Sequence, residues 1–149
     1  KVFSEAELKS RCEIMLENYC KTVLIEANTM IDMAKTEIAP AVSAYVLELA
    51  NTAVAKKAVD ESISCSYETR LVKKLVILEE QIAVKTDELE EAVMKLQDTE
   101  DVETESYMIR DAVLGKMGEL RAACDEAEAI TAKKYWPFPT YGDLLFGVK

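Results

Sequence analysis

Hydrophobic positions recur along this chain at steps of three and four for most of its length, the spacing of one face of an α-helix. The first stripe is Leu8, Cys12, Met15, Tyr19, Val23, Ala27, Met30 and Ala34, widened by Ile14, Leu24, Ile25, Ile31 and Ile38. Ser4 and Glu7 form a capping-box sequence, with Phe3 and Leu8 in the two positions of a hydrophobic staple, so a helix is predicted to begin at Ser4. Pro40 has no N–H to donate and disfavours helical geometry at Ala39, which predicts a kink or a near-continuous restart there. The pattern resumes with Val42, Tyr45, Val46, Leu49 and Ala53. It fades in Ser62-Ile63-Ser64-Cys65-Ser66, where hydroxyls compete for backbone hydrogen bonds and a loop is expected.

The most regular repeat follows: Leu71, Leu75, Leu78, Ile82, Lys85, Leu89, Ala92 and Leu96 alternate steps of four and three, a coiled-coil-like seam. A turn is predicted near Asp98 to Asp101. Beyond it lies a last helix with the stripe Ile109, Val113, Met117, Leu120, Cys124, Ala127 and Ile130, weakened locally by Gly115 and Gly118. Helices are therefore expected over about 4–39, 40–62, 66–98 and 101–134, folding back antiparallel into an elongated all-α bundle of three to four long helices.

From 135 to 149 the composition shifts. Five of the ten aromatic residues fall here, and Pro137 and Pro139 predict an extended, non-helical tail. Burying each large ring is worth roughly 2 to 3 kcal/mol, so something must cover them. Tyr135, Trp136, Phe138, Tyr141, Leu144, Leu145 and Phe146 are thus the candidate docking residues, set either on the bundle's own groove or on another domain or subunit.

Composition narrows the function. A chain of 149 residues, half of them hydrophobic, can bury one real core. Its net charge of -10 repels polyanions, so nucleic acid is not an expected partner. Acidic residues such as Glu26, Asp32 and Glu48 interrupt the apolar stretches, and no membrane span is expected. The opening Lys1-Val2-Phe3-Ser4 has neither an initiator Met nor a signal-peptide layout and reads as the start of a cytoplasmic excerpt. Cys12, Cys20, Cys65 and Cys124 lie too far apart for close metal-binding pairs and read as buried reduced thiols.

Catalytic candidates fail one by one. The absence of histidine removes Glu-x-x-His di-metal chemistry, and the neighbours Glu79 and Glu80 point apart on a helix. Gly115-Lys116-Met117-Gly118 lacks the strand, spacing and hydroxyl of a phosphate loop. The acidic run from Asp87 to Glu105 has no calcium-loop glycine or ligand spacing and reads as a solvated turn. Lys85 in the seam would mark a buried partner or a register device on one reading, but the preferred one is a lysine whose stem lies on apolar surface while its ammonium reaches water. No catalytic, cofactor-binding or metal residue is nominated.

Four stretches carry a resemblance to a known family. They are Leu8-Lys9-Ser10-Arg11; Glu17-Asn18-Tyr19-Cys20-Lys21-Thr22; Ile25-Glu26-Ala27-Asn28-Thr29-Met30-Ile31-Asp32-Met33-Ala34 continuing to Pro40-Ala41-Val42-Ser43-Ala44-Tyr45; and, most specific, Tyr135-Trp136-Pro137-Phe138-Pro139-Thr140-Tyr141-Gly142-Asp143-Leu144-Leu145-Phe146. They resemble the C-terminal end of a type III glutamine synthetase. The resemblance implies an accessory helical domain of a bacterial enzyme that joins ammonia to glutamate using ATP and Mg2+, in a cytoplasmic double-ring homo-oligomer. That family's catalytic β-barrel motifs lie upstream and match no position here, so no catalytic role transfers. The rival reading is an independent interaction module dimerising through the seam from Leu71 to Leu96.

Overall fold

Ser4 caps the first helix with a complete capping box: its hydroxyl accepts the Glu7 N–H at 3.3 Å, and the Glu7 carboxylate accepts the Ser4 N–H at 2.7 Å. The Phe3 ring carries the Arg11 guanidinium, 4.5 Å from its centroid. The computed structural model describes residues 2–96, 99, 101–139 and 141–147. From the cap, α1 (Glu5–Met33) runs into a π-helical turn (Ala34–Ile38) and on into α2 (Ala39–Val59).

Pro40 neither ends nor interrupts this rod, which is continuous over 55 residues. The Ala39 N–H donates to the Ala34 carbonyl, one residue further back than an α-helical bond. The extra residue of the π-turn shifts the carbonyls that a proline ring would strike, and Pro40 falls in the first turn of α2, where a missing N–H costs little. The near-continuous restart is what forms.

The first loop starts at Asp60, earlier than predicted. The Asp60 side chain accepts the Ser62 N–H at 2.7 Å and its carbonyl accepts the Ile63 N–H at 3.1 Å, an Asx-type turn that competes with helix. Next come α3 (Ser66–Met94), α4 (Val102–Met108), a second π-turn (Ile109–Val113) and α5 (Leu114–Ile130). Asp101 caps α4 through the Thr104 N–H at 2.8 Å. Asp98 and Glu100, the remaining acids of the predicted turn, lie outside the described residues. The third rod ends at Ile130, short of the expected 134, as Thr131 adopts extended backbone. Among the described residues there is no strand.

Ion pairs measure the register. Lys35 meets Glu90 at 2.6 Å and Lys56 meets Glu68 at 2.5 Å, so α3 runs antiparallel to the first rod. Lys74 meets Glu126 at 2.9 Å and Lys85 meets Glu119 at 2.7 Å, so the third rod runs antiparallel to α3. The core lies where the three rods overlap: Val23, Ala27, Ala34 and Val42 from the first, Leu75, Leu78, Ile82 and Leu89 from α3, and Ile109, Val113, Leu120 and Ala127 from the third. Every described seam position of α3 is buried or half-buried, Lys85 included.

One expectation about apolar runs is corrected. The 55-residue helix contains an 18-residue window of mean hydropathy 1.3, long and apolar enough by composition to cross a membrane. Between Glu37 and Lys56 its only charged residue is Glu48, so the acidic interruptions are sparser than expected. Here the stretch is packed on α3 through Val42 and Leu49, and Glu48 pairs with Lys134 at 2.7 Å.

At the α2–α3 hairpin, Glu68 is buried and, among the described residues, pairs with Lys56, while its Oε2 finds no partner there. The Lys56 ammonium and a backbone hydrogen bond hold the Glu68 carboxyl below its ordinary range. Because the folded-state value is depressed, the pair stabilises the fold above the unfolded-state pKa, and that contribution disappears as pH falls through the lowered value. Glu68→Gln should therefore lower the urea midpoint at pH 7, and the gap to the parent chain should close in acid. A gap unchanged between pH 7 and pH 3 would reject the clasp.

Candidate functional site

The aromatic tail divides in two. Its first half returns to the bundle: Trp136 and Phe138 pack against the core with ring centroids 6.3 Å apart, edge to face at 77°. Tyr135 lies 5.3 Å from Tyr45 of α2, and Lys134 joins both Glu48 and the Tyr135 ring. Burial is the main influence pushing the Tyr45 hydroxyl above its ordinary pKa. These contacts leave Tyr135, Trp136 and Phe138 half-buried against α2 and the core.

The second half departs from expectation. Instead of an extended strip, residues Tyr141–Phe146 form a short helix, α6. Pro139 ends the extended stretch, and Asp143 in the first turn of α6 has the sign that a helix N-terminus favours while pairing with Lys133 at 2.6 Å. Leu144 and Phe146 remain 70% and 83% exposed, and Leu145 is exposed beside them. The Thr140 position and the Tyr141 side chain lie outside the described residues. Of the seven candidates, three are therefore seated and three stand bare.

A second bare apolar surface was not picked out from the sequence. Leu8, Cys12, Met15 and Tyr19 continue the stripe that becomes buried from Cys20 onward, yet all four are exposed, Leu8 by 54% and Met15 by 72%. The register explains this. With Lys35 opposite Glu90, the end of α3 at Met94 falls near Ile31, so the earlier turns of α1 extend past it and are flanked chiefly by α4. The signal that could have located this surface is the length mismatch between the first and third stripes.

Charge is organised as bracing. Glu88 sits between Lys85 and Lys116, each at 3.2 Å, and Lys85 also reaches Glu119. Hydrogen bonds from the two ammonium groups hold the Glu88 carboxyl below its ordinary pKa, and those to Glu119 and Glu88 hold Lys85 above its own. The seam lysine thus has specific partners on α3 and α5, the alternative that the sequence offered beside the preferred one of an ammonium reaching water. Part of the acidic run is likewise matched by bases from other rods. Among the described residues, no three of Cys, Asp and Glu converge as a metal-binding group. The cysteines are free thiols, but burial holds only for Cys20 and Cys124: Cys65 is half-buried in the α2–α3 loop, and Cys12 is exposed because α1 extends past the end of α3.

Comparison with known proteins fits this picture of a braced piece with bare faces. The profile of the glutamine synthetase C-terminal domain family matches residues 1–57, the first rod almost entire. Over 99% of its length the chain is 36% identical to a glutamine synthetase of Butyrivibrio fibrisolvens. It is 28% identical over 97% of its length to the type-3 glutamine synthetase of Dictyostelium discoideum, and 25% identical over 98% to a glutamine synthetase of Bacteroides fragilis. The chain spans only 20–21% of the length of these relatives. The chain is thus similar along its first rod to the glutamine synthetase C-terminal domain family, and along nearly its whole length to about a fifth of each of these enzymes, one of them of type 3.

Proposed function

We propose that this chain is the accessory helical domain of a type III glutamine synthetase, bracing the folded body and subunit arrangement of an enzyme that makes glutamine from glutamate, ammonia and ATP. The parent uses ATP and Mg2+ at sites outside this segment and works in the cytoplasm as a double-ring homo-oligomer. Its partners here are the rest of the parent polypeptide and neighbouring subunits, with no role for nucleic acid or membrane.

The observation that carries this reading is the amount of surface left open. The chain exposes 10151 Å². A compact monomer of its mass would expose about 7,600 Å². The surplus exceeds the roughly 800 Å² that each partner contributes to a standard interface, and two apolar patches lie within it. The rival, dimerisation through the seam from Leu71 to Leu96, is opposed by the burial of that seam inside the bundle, where Leu75, Leu78, Ile82 and Leu89 have no free face to offer.

Removing residues 135–149 from the full-length enzyme tests the role. The seated rings and α6 leave together, so the expected result is a smaller assembly, seen by sedimentation, with reduced synthetase activity. An oligomer of unchanged size and normal turnover would reject the docking role.

A further inference from the structure

The geometry points to the first four turns of α1, not the tail alone, as the seat on which the preceding part of the parent polypeptide rests. This inference depends on the accessory-domain reading and assigns it a surface. Leu8, Cys12, Met15 and Tyr19 repeat at steps of four, three and four, the same period that α3 uses for its buried seam, yet all four stay exposed although α4 runs alongside them. A helix built only for solvent has no reason to keep an apolar stripe in register with the core stripe that follows it.

What covers the stripe is limited by reach. The other bare patch, Leu144 and Phe146, cannot do it in cis: Lys134 ties the start of the tail to Glu48 and Lys133 ties Asp143. At 1.5 Å per residue, Glu48 lies about 50 Å along the rod from Met15. The polypeptide joined to Lys1, by contrast, starts within a few residues of Leu8, and covalent attachment gives it an effective concentration in the ~mM range without any new affinity. The relatives are about five times longer than this chain, so a large folded body is available to be that neighbour. The occupant is therefore an apolar surface of the preceding body, shaped to take Leu8, Met15 and Tyr19.

Cys12 lies on this stripe and supplies the probe. Mass-resolved N-ethylmaleimide labelling is run on the 149-residue chain and on the full-length enzyme, with slow labelling of buried Cys124 certifying that the bundle is folded in each. The expected result is rapid modification of Cys12 in the short chain and at least ~10-fold slower modification in the full-length enzyme, as for a site that reacts only through local opening. The double variant Leu8→Glu with Met15→Glu in the full-length enzyme should restore the fast rate. Equal Cys12 rates in both forms, with Leu144 to Phe146 protected from hydrogen exchange only in the full-length enzyme, would overturn this surface and leave the accessory-domain reading standing. Equal rates with no protection at either patch would overturn both. Protection of Cys12 that grows with concentration of the short chain would assign the stripe to a second copy and overturn the stated occupant.

Discussion

Leu89→Ala is expected to destabilise the chain by about 2–5 kcal/mol, the range for emptying a fully buried leucine site. Leu89 has 0% exposure and sits on α3 between two ion-paired residues that face opposite ways: Glu88 toward Lys116 of the third rod, Glu90 toward Lys35 of the first. Its side chain fills the place where all three rods meet, so neither neighbour can collapse onto the gap without disturbing the other contact. Against a typical total stability of about 5–15 kcal/mol, such a loss leaves a substantial unfolded fraction near physiological temperature. Urea unfolding followed by helical circular dichroism measures it. Val84→Ala is the control: Val84 is on the same helix but 45% exposed, and its change should stay within about 0.5 kcal/mol. A Leu89→Ala loss below about 1 kcal/mol would mean that α3 is not the central rod.

How far this core was readable from the chain differs by element. The seam of α3 was legible position by position, because a helix flanked on both sides repeats its apolar residues strictly: Leu75, Leu78, Ile82, Leu89, Ala92 and Leu96 are all buried. The stripe of the third rod was legible for the same reason, with Ile109, Val113, Leu120, Cys124 and Ala127 buried. The two π-turns were not. Each shifts hydrogen bonding by one residue without changing which residue types face inward, so a period of three and four passes through it unmarked. The bare end of α1 was not legible, because periodicity reports that a face is apolar, not that a partner within the same chain is long enough to reach it. Glu68 was overlooked since a glutamate in a first helical turn ordinarily faces water, and only the Lys56 pairing makes its burial tolerable.

The candidate docking strip was legible as a strip and misjudged as a unit. Alternating prolines do hold 137–139 out of helix, but Tyr141–Phe146 escapes them and recovers helical hydrogen bonding. Tyr45, the residue that receives Tyr135, carried no local mark: it is one half-buried ring in a stripe, and only the return of the chain after Ile130 brings the two together.

The buried thiol of Cys124 should label more slowly than the exposed Cys12 by a margin of more than about two orders of magnitude. Two factors multiply. Burial, reinforced by the nearby Asp125 carboxylate, pushes the Cys124 thiol from its ordinary value near 9.0 up to about 11. The two-unit rise cuts the reactive thiolate at pH 8 by about a hundredfold. Access is the second factor, because reagent reaches α5 only when the third rod separates from α3. A raised folded-state value also sets the sign of the alkaline response: the neutral thiol favours the fold below the unfolded-state value, and this contribution is lost as pH rises through about 11. Cys124→Ala should therefore flatten the fall in stability between about pH 9 and pH 11. The two buried sites are also linked. Where opening is fast and reclosing faster, labelling of Cys124 follows the population of the open form, so Leu89→Ala should speed Cys124 modification by the factor that its stability loss predicts while leaving Cys12 unchanged. Parallel acceleration of both thiols would place Cys12 inside the cooperative core, contrary to its exposure on a helix that has outrun its neighbour.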